Sequence, residues 1–73
     1  MRVDSFHKDG MYTHNAISGA YVQVKTVLWV EDMLSYEITF DIKSEENDAL
    51  KASNQSMIIH YDDLYKWSQR GVC

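Results

Sequence analysis

YVQVKTVLWVEDMLSYEITFDIK, residues 21–43, carries two runs of period-two alternation and decides the fold. In the first run Val22, Val24, Thr26, Leu28 and Val30 form one β-branched or apolar face. In the second, Leu34, Tyr36, Ile38, Phe40 and Ile42 alternate with Ser35, Glu37, Thr39, Asp41 and Lys43. Successive strand residues point to opposite faces, so each run predicts an antiparallel strand buried on one side. Parity then sets the expected pairing. A two-residue turn at Glu31-Asp32 sets Leu28 against Ser35, core side to polar side. A three-residue connection through Glu31, Asp32 and Met33 instead pairs Leu28 with Tyr36, Val24 with Phe40 and Val22 with Ile42, so the odd-length loop is expected. Asp32 is its best candidate for a left-handed residue, and a five-residue loop after Trp29, of the same parity, stays open.

Toward the C-terminus the pattern turns helical. Ser44 followed by Glu45, Glu46 and Asp48, then Ala49 and Leu50, predicts a short capped helix over 44–52. Residues 57–70 admit two readings. In the preferred one, Met57-Ile58-Ile59-His60 is a third strand, Asp62 caps a helix that turns either Leu64 with Trp67 or Tyr61 with Tyr65 to the sheet, and Arg70 and Gly71 end it. In the other, one helix runs on from Met57, capped by Ser56, with Met57, Ile58, Tyr61, Leu64 and Tyr65 at helical spacing. The expected class is therefore α+β: a small three-stranded, mostly antiparallel sheet, a C-terminal helix on one face, and a short helix between strands two and three. The chain reads as one small domain, 1–73, in which 1–19 is either an N-terminal arm or an additional short strand near 11–16.

At 73 residues, with no proline and a single cysteine, Cys73, the chain can form no internal disulfide. A domain this small buries only about 60% of the surface its unfolded form exposes, so a partner or a second copy is a natural source of further burial. The cysteine usage points to a reducing, cytoplasmic setting. The longest apolar run is Val27-Leu28-Trp29-Val30, far short of a membrane span, and the opening MRVDSFHKDG has acids where a signal peptide needs an apolar stretch. No membrane association is expected.

Eleven acids face seven bases, a formal net of −4. Residues 31–63 hold nine of the acids against Lys43 and Lys51, a local net of −7, which leaves five bases against two acids, or +3, elsewhere. That balance argues against binding to nucleic-acid phosphates and suits a basic protein surface. The acid clustering also raises mimicry of a nucleic-acid backbone as a more specific form of the same idea.

No constellation for chemistry stands out. His7, His14, His60 and Cys73 lack the close paired spacing of a zinc site, and the acids of 45–48 lack the glycine and spacing of a calcium loop. His60 beside Asp62 and Asp63 has only Ser56 and Ser68 as nearby nucleophiles, neither on a strand-to-helix elbow. Gly10, Gly19 and Gly71 are isolated, so no phosphate loop is present. No enzyme activity, cofactor or metal is expected.

The aromatic residues are more informative. On the expected register Trp29 and Val27 face away from the core, beside Glu31, Asp32 and Glu37. An aromatic centre with a charged rim is the composition of a protein interface. The expected function is that of a small acidic protein-binding module, an accessory regulator or inhibitor that acts by occupying a partner's surface through Val27, Trp29, Glu31, Asp32 and Glu37. Two alternatives stand beside it: a structural homodimer pairing through the off-core face of the sheet, and a nucleic-acid-binding regulator using Lys66 and Arg70 on the C-terminal helix. Stacking of single-stranded bases on Trp29 and Tyr21 is disfavoured, since only Lys25 lies between them.

Overall fold

The computed structural model describes Val3 and residues 5–70. The 21–43 stretch forms two long strands, as its alternation requires. They sit inside one five-stranded antiparallel sheet: β1 (Met11–His14), β2 (Ala20–Val30), β3 (Ser35–Ser44), β4 (Leu50–His60) and β5 (Trp67–Gln69). The spatial order is β4-β3-β2-β1-β5, so the chain meanders through four strands and then returns its last strand to the outer edge of the first. The α+β expectation is overturned. Among the described residues there is no α-helix, only two 3₁₀ turns, Glu31–Met33 and Tyr61–Lys66.

Both expected helices fail for identifiable reasons. Over 44–52 the serine and acids close a turn: the Ser44 hydroxyl accepts the Glu46 N–H at 3.2 Å, and the Asp48 and Ser44 N–H groups donate to the Ser44 and Ala49 carbonyls at 2.8 Å. Ser, Asn and Asp make such local bonds as readily as they cap helices, and two turns of isolated helix have little to hold them together. Leu50 and Ala52 instead pair with Lys43 and Ile42. At the C-terminus, residues expected as one helix divide into a 3₁₀ turn and a strand. Leu64 packs on the core and Trp67 enters it, but the three-residue spacing that suggested a helix face also fits a 3₁₀ turn. Ser68 and Gln69 then pair with Thr13 and Tyr12. His60, and not Asp62, caps the turn: its Nδ1 accepts the Asp62 N–H at 3.1 Å. The expected stop at Gly71 lies outside the described residues.

The β2–β3 register departs from a uniform hairpin at one place. Val22 pairs with Ile42 and Val24 with Phe40, but beyond the bulge Thr26 pairs with Thr39, Val27 with Ile38 and Trp29 with Tyr36. Lys25 is the additional residue. The connection to β3 takes four residues, 31–34, and Leu34, not Asp32, occupies the left-handed region at φ 48°. An even loop and a one-residue bulge compensate, so the apolar face of β3 stays inside while the faces of β2 beyond Lys25 exchange. The expected Leu28–Tyr36 pair does not form; Leu28 lies opposite Glu37.

The core lies on the inner face of this curled sheet. Val22, Val24, Ile38, Phe40 and Ile59 come from β2, β3 and β4, and Tyr12 and Trp67 from β1 and β5. Val3 and Phe6 complete it. The Phe6 ring meets Tyr12, Tyr36 and Trp67 edge-on at 4.8, 5.7 and 5.4 Å between centroids. Edge-to-face packing of this kind adds about 0.5–1.5 kcal/mol per pair beyond area burial. Gly10 admits the Tyr12 ring beneath it, since a Cβ there would stand 2.6 Å from the phenol oxygen.

Candidate protein-binding surface

The bulge decides where the expected patch residues stand. Val27 is half-buried against the core, opposite Ile38. Trp29 lies on the inner face at the end of β2, 39% exposed, its ring tilted on Tyr36 at 4.8 Å between centroids. Its indole N–H donates to Glu31 Oε2 at 2.5 Å. Glu31 and Asp32, both exposed, belong to the 3₁₀ turn that follows, so Trp29, Glu31 and Asp32 come together at the tip of the hairpin. Glu37 does not join them. It stands on the outer face between Leu28 and Ile58, with which it pairs across β2 and β4.

The outer face therefore carries what the inner face was expected to hide. Leu28 is 59% exposed and Ile58 54%, and at the tip Met33, Leu34 and Tyr61 are exposed as well. The Tyr61 N–H donates to the Leu34 carbonyl at 3.0 Å, tying the end of β4 to the tip. These five residues were missed in the sequence for definable reasons: Leu28 and Leu34 were assigned to a buried strand face, Met33 to the connecting loop, Ile58 to a strand with no face specified, and Tyr61 to the C-terminal strand–helix region. One signal was present. Adjacent Ile58 and Ile59 in a strand must face opposite ways, so one of them had to be outside.

The charge at this end is one-sided. Among the described residues Glu31, Asp32 and Glu37 have no ion-pair partner. Asp62 stands 3.7 Å from His60, and Asp63 is 3.4 Å from Lys66. The cations once considered for nucleic acid are engaged by the chain itself. Lys66 pairs with Asp63, and Arg70 lies 4.0 Å from the Tyr21 ring centroid and 3.8 Å from Asp48. The helix expected to present them is replaced by the 3₁₀ turn and β5. Tyr21 donates to Asp48 at 2.8 Å, and this bond, with burial and the carboxylate's charge adding, holds its phenol above the usual range against the opposing pull of Arg70.

The remaining candidates for chemistry serve local structure. His14 Nδ1 accepts the Ala16 N–H at 3.0 Å while its ring meets Trp67 edge-on at 4.8 Å. His7 lies 3.1 Å from the Ser5 hydroxyl. Among the described residues no three His, Cys, Asp or Glu side chains form a metal-sized group, and Cys73 lies outside them. A cavity of about 140 Å³ opens at the other end of the inner face, walled by Tyr12, Tyr21, Phe40, Met57 and Trp67 with His14 at its margin. No helix among the described residues is long and apolar enough to cross a membrane. In comparisons with protein-family models, curated proteins and solved structures, nothing matches this chain.

Proposed function

We propose that this chain is a small protein-binding module that acts by occupancy, as an accessory regulator or inhibitor, on a partner whose contact surface is basic. The observation that carries this reading is the hairpin tip with the outer face beside it: exposed Trp29, Met33, Leu34 and Tyr61 with Glu31 and Asp32 at the tip, and exposed Leu28 and Ile58 flanking Glu37, three carboxylates without cationic partners among the described residues. Apolar area supplies the burial that a complex needs, and unpaired acids steer a cationic surface onto it. Trp29 is the anchor. Its ring is held by Tyr36 on one side and by Glu31 at the indole nitrogen, so little side-chain freedom remains to be lost on binding. Glu37 extends the contact to the outer face, where it separates Leu28 from Ile58.

The test begins with capture from the native host and identification of bound proteins by mass spectrometry, followed by titration of the purified partner. Trp29→Ala should raise Kd at least tenfold, about 1.4 kcal/mol, in a protein that still folds. Glu37→Lys should slow association chiefly at low salt, the behaviour of a rim charge. A partner whose affinity ignores both substitutions, or strengthens as salt rises, binds elsewhere and overturns this reading.

A further inference from the structure

β4 forms one edge of the sheet, and its outer side is unpaired among the described residues. Edge strands are ordinarily protected by charge, proline or brevity. This one is eleven residues long, and after Lys51 near its start it carries no Asp, Glu, Lys, Arg or Pro from Ala52 to His60. Its side chains from Ser53 to Ile58 are exposed on both faces, where a half-covered strand would alternate. One of them is informative. Met57 lies opposite the fully buried Ile38, on the inner face, and is nevertheless 43% exposed. It borders the 140 Å³ cavity, so the inner face runs out beside β4 where a further strand would continue it.

We propose that this edge pairs antiparallel with β4 of a second copy about a two-fold axis through Met57. A two-fold perpendicular to the sheet keeps both inner faces on one side, and it must place residues of like parity opposite each other. The axis at Met57 does this. Met57 meets Met57 of the second copy over the inner face, Gln55 meets Ile59, and Ser56 meets Ile58 on the outer face. The flat stretch available for this ladder is Gln55 to His60, over which β4 keeps one register with β3. Charge favours the same arrangement. The uncharged run ends in Lys51 on one side and in Asp62 and Asp63 on the other, so antiparallel pairing brings the lysine of each copy toward the acids of its mate, with no like charges along the ladder. The result is a ten-stranded sheet with a tip at either end; Ile58 borders the seam, while Leu28, Trp29, Met33 and Leu34 stay clear of it for the partner proposed above, and the two proposals stand or fall separately.

The experiment is sedimentation velocity over a range of concentrations, paired with a cross-linking register test. The contact is small, so an association in the range of roughly tens to hundreds of micromolar is expected. Met57→Lys sets two ammonium groups against each other on the axis and should leave a folded monomer at every concentration. In a Cys73→Ser background, Met57→Cys should form a disulfide-linked dimer under mild oxidation, because directly opposed Cβ atoms stand about 4.5–5.5 Å apart, close to disulfide geometry. Leu28→Cys in the same background should not. The cross-link reports the axis even if Met57→Lys fails to fold. A monomer throughout the range, a dimer that survives Met57→Lys, or preferential cross-linking at Leu28, which would put the contact on the outer face, each overturns the proposal.

Discussion

The two halves of the β2–β3 hairpin are built from similar residues and do different work. On the near side of Lys25, Val22, Val24 and Phe40 are buried and the ladder holds one register. On the far side Leu28 is mostly open to solvent, Trp29 is half-covered, and the register has moved by one. The boundary is marked by polar contacts on three strands. Lys25 Nζ donates to Asn54 Oδ1 at 2.9 Å and lies 3.5 Å from Asp41, whose carboxylate accepts the Asn54 N–H at 3.1 Å. Asn54 itself is left-handed, φ 55°, where β4 loses register against β3. Two bulges on strands either side of β3 thus meet at one acid. Both halves feed the core from β3, through Phe40 on the near side and Ile38 on the far side, but on β2 the cover ends past Val27, where Leu28 and Trp29 open to solvent, and one inserted residue marks the change.

The widest contrast is between Phe40 and Leu28. Phe40→Ala should cost about 3–5 kcal/mol in urea melts, most of the stability of a domain this small, while Leu28→Ala stays within about 0.5 kcal/mol. Equal losses would mean that the far half is as buried as the near half and that the bulge is misplaced. Trp29→Ala falls between them. It removes a tilted aromatic pair and part of an indole's burial, so a loss of about 1–2 kcal/mol is expected, with the protein still folded by circular dichroism.

The boundary itself can be sharpened at Asn54. Asn54→Ala places a β-carbon residue without a compensating side-chain bond in the left-handed region and loses the contact to Lys25, a cost of about 1–2 kcal/mol; Asn54→Gly should recover most of it. If alanine and glycine behave alike, backbone conformation is not what holds the bulge. The smallest effect at neutral pH is at Tyr21, at the near end of β2. Its phenol ionises above the usual range in the folded chain because of the bond to Asp48. A raised value in the folded state stabilises below the unfolded phenol's ionisation, near pH 10, and that contribution disappears as pH rises through the folded value. Alkaline melts should therefore show a stability loss above about pH 10 that is reduced in Tyr21→Phe. An identical alkaline limb in both proteins would remove the Asp48 bond from the account.

Legibility followed the strength of the local pattern. The sequence alternates without exception from Leu34 to Lys43, and although Leu34 itself falls in the turn before β3, only one inner face fits Tyr36, Ile38, Phe40 and Ile42. Val22 and Val24 have polar neighbours, so their pairing with Ile42 and Phe40 could be derived. Val27-Leu28-Trp29-Val30 is apolar at both parities, so burying either face satisfies the hydrophobic pattern equally, and Trp29 was assigned to the wrong one. In 53–56 the residues Ser, Asn, Gln and Ser carry no period at all, and nothing local announces that they continue a strand.

What the sequence determined by itself is the central antiparallel pair, the inward face of β3 and the acidic bias of 31–63, because each depends on residue type and on spacing within a few positions. The tertiary structure alone decided the rest. The 44–52 segment turns and extends because β3 offers Leu50 and Ala52 a ladder; the C-terminal residues leave a helix because Trp67 has a place in the core and β1 has a free edge to pair. The bulge at Lys25 exists because its contacts to Asp41 and Asn54 come from strands 16 and 29 residues away. Such interactions are invisible to any short window, and they determine which side of Trp29 meets the core and which side stays open to solvent.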